Sequence, residues 1–195
     1  MVRLSIRFFG LVLLLAAILS SCQKDESVND MQAAANQAKA DSLQKLNPPP
    51  APGNYLVNQG ILKIKIKDST YTFDASQDSV AFVNVNIDGK EYYGITAINK
   101  AHTISFGISS LGAPIAEMPG TVAGCQFLLN TSSKTNLEYT LTRNITAQDY
   151  GTISIEKYNQ DAVLAKGTFH TYLATGDKKN SPFYVVDGSF ELKVK

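Results

Sequence analysis

The chain has 195 residues, of which 44% are hydrophobic and 18% are charged, and its formal net charge is +1. This length allows one ordinary domain with appendages but not two full domains. Since the charge is nearly balanced, no overall basic field would attract nucleic acid, and we expect no nucleic-acid partner.

The first residues carry the features of a secretory signal. Arg3 and Arg7 give a positive start, and an apolar run follows over residues 8–19. That run is shorter than the roughly 20 residues that cross a membrane but has the length of a signal-peptide core. Residues 19–22, Leu-Ser-Ser-Cys, resemble the lipobox at which bacterial lipoproteins are cleaved and acylated. We therefore expect residues 1–21 to be removed and Cys22 to carry a lipid.

A lipid on Cys22 would make the membrane a partner through the anchor. Each buried methylene contributes about 0.8 kcal/mol, so two or three acyl chains hold a protein on a bilayer effectively permanently. Cys125, the other cysteine, would then have no intramolecular partner, and the hydrophobic core alone must hold the domain together. We expect Cys125 to be a buried and inert side chain.

The residues after Cys22 indicate where the lipoprotein is transported. Gln23, Lys24, Asp25 and Glu26 resemble the export signal of Bacteroidota lipoproteins, in which a Lys and acidic residues follow the lipidated Cys. The resemblance implies transport through the outer membrane to the cell surface. The alternative is a solvated charge cluster on an outer-membrane lipoprotein that faces the periplasm.

A spacer is predicted between the anchor and the domain. Residues 27–46 contain neither Gly nor Pro and are rich in Ala, Gln and Lys, which favours a helix with a thin apolar face. The prolines that follow Asn47 favour a stiff extended chain. The predicted organisation is a signal peptide over 1–21, a lipidated helical and Pro-rich stalk over 22–53, and a domain over 54–195.

From residue 55 onward apolar residues recur with a period of two, which predicts strands. Ile64 and Ile66 alternate with Lys63, Lys65 and Lys67, and this basic face suggests protection of a sheet edge. The predicted strands cover 61–67, 71–73, 83–87, 92–98, 103–108, 126–131, 137–142, 151–158, 162–175 and 183–194.

Turn signals separate these strands. Asp88-Gly89 predicts a hairpin because Gly tolerates positive φ, and residues 109–120 contain several Gly and Pro and predict a loop. No long helical pattern interrupts the strands, so parallel crossovers are not expected. The predicted fold is an all-β antiparallel domain of about eight to ten strands, either a β-sandwich or a partly open barrel.

Short motifs in the second half resemble an uncharacterised family of β-rich Bacteroidota lipoproteins. They are Gly-Thr-Ile-Ser-Ile at 151–155, Gly-Thr-Phe at 167–169 and Asp-Gly-Ser-Phe at 187–190, with an earlier Asp-Gly turn at 88–89. The resemblance covers residues 80–195. Tyr92 and Tyr93 stand where the family has a Trp. Membership implies a β-rich fold and an envelope location, but no activity.

Few residues indicate a catalytic or metal-binding site. His102 and His170 are the only histidines, and we expect His170 to be a solvated strand residue, since a metal site needs three or four converging ligands. Asp68, Asp74 and Asp78 fit turn formation better than a calcium loop. The Ser-x-x-Lys pattern at 42–45 lies in the stalk without the other elements of a serine acyl-enzyme. We therefore expect no catalytic residues, no metal and no cofactor.

Three triplets resemble the Asp-Ser/Thr-x acceptor of Bacteroidota protein O-glycosylation. The predicted acceptors are Ser42, Ser69 and Ser79, each directly after an Asp. All three would lie in the mature chain.

These features predict a membrane-anchored lipoprotein that is not an enzyme. The first hypothesis is a surface binding module whose partner is a glycan or a protein, with Tyr92, Tyr93 and Tyr172 as stacking surfaces because the chain has no Trp. The alternative is a structural or envelope-interaction lipoprotein without a small ligand. A barrel with an apolar interior would instead favour a lipid carrier.

Overall fold

The structure is a computed structural model that describes residues 24–46, 53–132, 135–142, 146, 150–160, 163–176, 178 and 181–193. The chain divides into two compact units, Met1–Ser42 and Leu43–Lys195, and each is described by itself. The predicted signal peptide lies outside the described residues, and the limits of the stalk and the domain stay predictions.

A polar helix, α1, covers Lys24–Leu46 and contains 23 residues. It confirms the predicted helix and begins three residues earlier. The Nε2 of Gln37 donates to Oδ1 of Asp41 at 3.0 Å, a one-turn pair of the kind that supports exposed helices. In the described part of the chain, no helix has both the length and the apolar character needed to cross a membrane.

Eleven strands follow the helix. They are β1 (Gly53–Val57), β2 (Gln59–Ile66), β3 (Ser69–Asp74), β4 (Ser79–Ile87), β5 (Lys90–Ile98), β6 (Ile104–Leu111), β7 (Gly120–Ser132), β8 (Thr135–Leu141), β9 (Gly151–Gln160), β10 (Val163–Ala174) and β11 (Phe183–Lys193). Every pairing between them is antiparallel.

The strands form one hydrogen-bonded path in the order β1-β4-β5-β6-β7-β8-β10-β11-β2-β3, and β9 pairs with both β10 and β7. Strands β7, β8, β10 and β9 therefore close a four-membered ring. We call β1, β4, β5, β6 and β7 the first arm, and β9, β10, β11, β2 and β3 the second arm. The free edges of the path are β1 and β3.

The inner faces of the two arms share one hydrophobic core. Phe106 on β6 lies 5.3 Å, ring centroid to centroid, from Phe169 on β10, and Tyr71 on β3 lies 4.8 Å from Phe127 on β7. Phe127 is fully buried. Burial of such rings is worth several kcal/mol each, roughly 3–5 when one is truncated to Ala.

The all-β antiparallel prediction is confirmed, and the structure combines the two expected architectures in a closed ring with open edges. One strand was missed, since β1 follows the prolines directly and only Asn58 separates it from β2. The predicted loop at 109–120 is shorter, because β6 continues to Leu111 and β7 begins at Gly120. The predicted hairpin at Asp88-Gly89 is confirmed, with φ values of 52° and 78°.

The predicted edge role of the lysines on β2 is wrong. Strand β2 pairs with β11 on one side and with β3 on the other, so it lies inside the second arm. Ile64 and Ile66 are buried, as the alternation predicts, while Lys63 and Lys65 are exposed on the outer face of β2 and the exposed Lys67 follows the strand. Their concentration there requires another explanation.

Candidate functional site

The outer face of the second arm carries two cross-strand rows of polar residues. One row consists of Thr152, His170, Asp187, Lys65 and Thr70, and the next consists of Ser154, Thr168, Ser189, Lys63 and Thr72. None of these ten side chains is buried. Because directly opposite residues lie about 4.5–5.5 Å apart between Cβ atoms, the rows form a continuous surface of hydroxyls and charges.

At one end of this surface the charges are paired. The Nζ of Lys166 lies 3.7 Å from Glu156 and 3.9 Å from Glu191, and Lys193 lies 3.0 Å from Glu191. The hydrogen bond from Lys193 holds the pKa of Glu191 below its ordinary value. This end therefore has little free charge to offer a ligand.

The opposite end carries Lys65 and Lys67. Lys67 follows β2 with a φ of 55°, and its Nζ lies 3.9 Å from the ring centroid of Tyr184 and 5.4 Å from that of Tyr139. The same ammonium donates a long hydrogen bond of 3.5 Å to the Tyr139 hydroxyl. Cation–π contacts hold an ammonium without neutralising it. Neither Lys65 nor Lys67 forms an ion pair with a carboxylate of the described residues.

One carboxylate at this end, Asp187, pairs with a histidine, and another, Asp68, directly follows Lys67. Asp187 lies opposite both His170 and Lys65 in the ladder, and its Oδ1 is 2.7 Å from Nδ1 of His170. The His170 ring also meets the Tyr172 ring edge to face, with centroids 4.9 Å apart. The expectation of a merely solvated His170 therefore missed a cross-strand pair that only the register of β10 and β11 creates.

A groove of about 390 Å³ lies beside this pair, lined by Lys65, Lys67, Phe183, Tyr184, Val185 and Asp187. Its volume falls within the range of small-molecule sites, about 300–1,000 Å³. Phe183 and Val185 are exposed by 44% and 46%, although both are apolar. The groove thus combines two ammonium groups with an apolar wall.

The outer face of the first arm has the opposite character. A groove of about 330 Å³ there is lined mostly by apolar residues, including Val83, Val85 and Ile87. Ile87 and Leu111 are exposed by 55% and 54%. Its floor contains the cross-strand row Val83, Gly94 and Ser109.

A larger groove of about 710 Å³ runs along β7 and β8. Leu141 and Tyr150 on its wall adjoin chain segments outside the described residues. Its carboxylate, Glu138, already accepts a 2.7 Å hydrogen bond from Gln126. The groove on the second arm therefore offers more charged side chains that form no ion pair among the described residues, despite its smaller volume.

The predicted anchor residues Cys22 and Gln23 lie outside the described residues. Lys24, Asp25 and Glu26 form the first turn of α1. The predicted glycosylation acceptors Ser42, Ser69 and Ser79 are all exposed. Ser42 lies within α1, where its Oγ donates to the Ala38 carbonyl at 2.8 Å, and the other two begin β3 and β4.

The three tyrosines expected to stack on a sugar do not form one surface. Tyr93 is only 2% exposed, points into the core, and donates a 3.5 Å hydrogen bond to the Ile153 carbonyl. Burial raises the pKa of Tyr93. Tyr92 lies on the outer face of the first arm and Tyr172 on that of the second arm. Only Tyr172 lies near the candidate site.

The acidic residues around the first hairpin act in turns. Oδ1 of Asp74 accepts hydrogen bonds from the amide and the hydroxyl of Ser76, and these bonds lower the Asp74 pKa. Asp78 accepts from the amides of Asp74 and Lys100 at 2.9 and 2.8 Å. Among the described residues, no three His, Cys, Asp or Glu side chains are grouped to hold a metal ion.

Cys125 is buried, as expected. It lies within β7, not just before a strand as the sequence suggested, because the strand begins already at Gly120. Burial raises the pKa of the Cys125 thiol.

The His170–Asp187 pair has the orientation found in nucleophilic catalysis, in which a carboxylate positions an imidazole. Such chemistry also needs a nucleophile on the other ring nitrogen. Within the described ranges, no hydroxyl or thiol forms a hydrogen bond with Nε2 of His170.

Comparison with protein-family models, with curated proteins and with solved structures finds no match to this chain.

Proposed function

We propose that this protein is a lipid-anchored binding module of the bacterial outer membrane, displayed at the cell surface, and that it recognises its ligand with the outer face of the second arm. Cys22 carries the lipid, and Gln23, Lys24, Asp25 and Glu26 direct export. The observation that carries the binding role is the groove beside His170 and Asp187, where two ammonium groups that form no ion pair with a described carboxylate meet exposed apolar side chains.

The position of this face within the fold supports the proposal. The second arm is built from five strands that pair along their length, so its outer side chains are held at fixed spacing. A rigid array loses little conformational entropy when a ligand binds. The resemblance to β-rich Bacteroidota lipoproteins stays a prediction, and it agrees with an envelope location.

Protease accessibility on intact cells tests the display. The native protein is compared with a variant in which Lys24, Asp25 and Glu26 are all Ala, and a Cys22→Ala variant reports on the lipid. We expect the protease to remove the native domain from intact cells and to leave the triple variant intact until the cells are lysed. A labelled fatty acid should enter the native protein and not the Cys22→Ala variant.

Two outcomes contradict this proposal. If neither protein is cleaved on intact cells although lysis exposes both, the domain faces the periplasm. If the label remains after Cys22→Ala, the lipid assignment is wrong.

A structural or envelope-interaction role is the second candidate. The exposed apolar side chains on the first arm favour it, because such patches on soluble surfaces often contact other macromolecules. The lipid-carrier alternative gains no support, since buried aromatic and aliphatic side chains fill the space between the arms.

We also propose that Ser42, Ser69 and Ser79 carry O-linked sugars. Their exposure makes them accessible to a transferase. The measurement is the mass of the segment 41–80 from protein isolated from its own host, and a mass equal to the bare peptide rules the modification out.

A further inference from the structure

We infer that the groove on the second arm binds an acidic saccharide, with Lys65 and Lys67 holding its carboxylate. This inference rests on the proposed binding role and names the chemical class of the ligand. It depends on three features of the groove, namely its charge, its apolar wall and the hydroxyl rows beside it.

The charge of the groove selects an anion. Lys65 and Lys67 contribute two positive charges, and Asp187 contributes the one carboxylate of the lining. Asp187 is already engaged by His170 at 2.7 Å, so it cannot fully satisfy Lys65, its other cross-strand neighbour. A ligand carboxylate would accept hydrogen bonds from both ammonium groups, and charge-assisted bonds of this type are stronger than neutral ones.

The position of Lys67 is fixed before a ligand arrives. Its ammonium lies over the Tyr184 ring and within 3.5 Å of the Tyr139 hydroxyl. The two rings contact each other at 6.2 Å between centroids, and Tyr139 is only 5% exposed. Because the buried Tyr139 ring anchors the half-buried Tyr184 ring, the exposed lysine is held in place over both rings.

The wall of the groove selects a ring with an apolar face. Phe183 and Val185 are exposed on the outer side, and the Tyr172 ring meets Phe183 edge to face at 6.0 Å between centroids. The C–H face of a pyranose packs on such a surface. Its hydroxyls can form hydrogen bonds with the adjoining rows, which contain Thr70, Thr168 and Ser189. A simple anion such as phosphate would leave both the wall and the rows unused.

The charge distribution places the carboxylate of the ligand at the Lys65 and Lys67 end of the outer face of the second arm. Lys63, on the next row of the same strand, does not line the groove. Lys166 and Lys193 are paired with Glu156 and Glu191 at the other end. Lys63 therefore provides a matched control with the same side chain, strand and exposure.

The test uses the purified full-length lipoprotein in detergent and isothermal titration calorimetry. The probes are a trisaccharide of galacturonic acid, its neutral galactose counterpart, and a triglutamate peptide. We expect the acidic trisaccharide to bind at least tenfold more tightly than either other probe. Its affinity should fall as salt rises from 0.05 to 0.5 M, by the screening expected when the Debye length shortens from about 14 to about 4 Å.

Substitutions locate the site. The double variant Lys65→Met and Lys67→Met should lose at least tenfold in affinity for the acidic trisaccharide, and Lys63→Met should stay within twofold of the native protein. Circular dichroism and the unfolding midpoint check that each variant is folded. A Lys65→Arg variant, which keeps the charge, should retain binding.

The inference is overturned if the neutral trisaccharide binds equally well, if triglutamate binds as tightly as the acidic sugar, if no probe binds, or if Lys63→Met weakens binding as much as the double variant. If the acidic trisaccharide does not bind as expected but the protease cleaves the domain on intact cells, the protein is a displayed module with another ligand. If the acidic trisaccharide binds but the domain is not cleaved on intact cells, the acidic-saccharide site lies in the periplasm.

Discussion

The outer faces of the two arms are built from strands of similar length and identical pairing geometry, yet their surfaces differ. The second arm presents rows of Ser, Thr, Lys, His and Asp. The first arm presents Val83, Val85, Ile87 and Leu111, with glycines between them. The sheet itself therefore does not decide what a face does; the residues placed outward by the pleat do.

The difference also separates two kinds of constraint. On the outer face of the first arm Gly94 must be small, because the backbone of β6 comes close to it there; the second arm has equally close glycines at Gly60, Gly151 and Gly167. The outer face of the second arm differs in that its charged side chains project into solvent, where the fold tolerates change. Substitutions should thus affect stability on one face and binding on the other.

The largest effect is expected from Gly94→Ala on the first arm. A Cβ at Gly94 would lie 2.2 Å from the backbone carbonyl oxygen of Ile108, and backbone cannot give way as a side chain can. We expect a loss of roughly 1–3 kcal/mol or more in the free energy of unfolding, as for other overpacked sites. Chemical denaturation measures it.

Gly107 is the matched control on the same face. A Cβ there meets only Cγ2 of Thr96, at 3.9 Å, so Gly107→Ala should change the free energy of unfolding by about 0.5 kcal/mol or less. Equal losses at both glycines would contradict the view that close backbone approach shapes this face.

An intermediate effect is expected at the inner side of β7. Cys125 points into the core beside the outward-facing Gly124, and burial raises its pKa above the ordinary value of 9.0. In a Cys22→Ser protein, where Cys125 is the only thiol, we expect a thiol reagent to react far more slowly with the native domain than with the denatured chain.

The same burial sets a pH dependence. Because the folded state favours the neutral thiol, its contribution to stability is full below the unfolded pKa and declines as pH rises above about 9. Rapid labelling of the native protein by the thiol reagent at pH 8 would show that Cys125 is accessible. That result would contradict the burial on which both the labelling and the pH predictions depend.

The smallest effect on stability is expected from Asp187→Asn on the second arm. The side chains of His170 and Asp187 are 42% and 59% exposed, and exposed pairs contribute about 0–1 kcal/mol. The substitution removes the one negative charge of the groove lining, so the affinity for an acidic trisaccharide should rise while the free energy of unfolding changes little. A variant that unfolds, or that binds the acidic sugar more weakly, would show that the carboxylate itself supports the site.

The strand assignments were mostly correct because period-two alternation is a local property of the chain. The alternation did not always tell which side of a strand faces the core. Ile64 and Ile66 differ so much from Lys63 and Lys65 that the inner side of β2 could be predicted. On β4, Val83, Val85 and Ile87 alternate with Asn84 and Asn86 just as regularly, yet the structure buries Asn84 to 6% exposure while Ile87 is exposed by 55%.

The candidate site could not be predicted, because its residues are far apart in the sequence and become neighbours only through the register of the paired strands. His170 and Asp187 are 17 residues apart, and Lys67 and Tyr139 are 72 apart. A shift of one residue between β10 and β11 would place their side chains on opposite faces. The edge position assigned to β2 was wrong for the same reason, since sequence order does not tell which strands are neighbours.

The sequence by itself therefore determined the period of the strands, the turn at Asp88-Gly89 and the helical spacer, all of which depend on near neighbours in the chain. It also carries the predicted lipid and export signals at Cys22 and residues 23–26, which are short runs of adjacent residues. Tertiary structure alone decided which strands are neighbours and which distant side chains share a groove, because those outcomes depend on the pairing of strands across the whole domain.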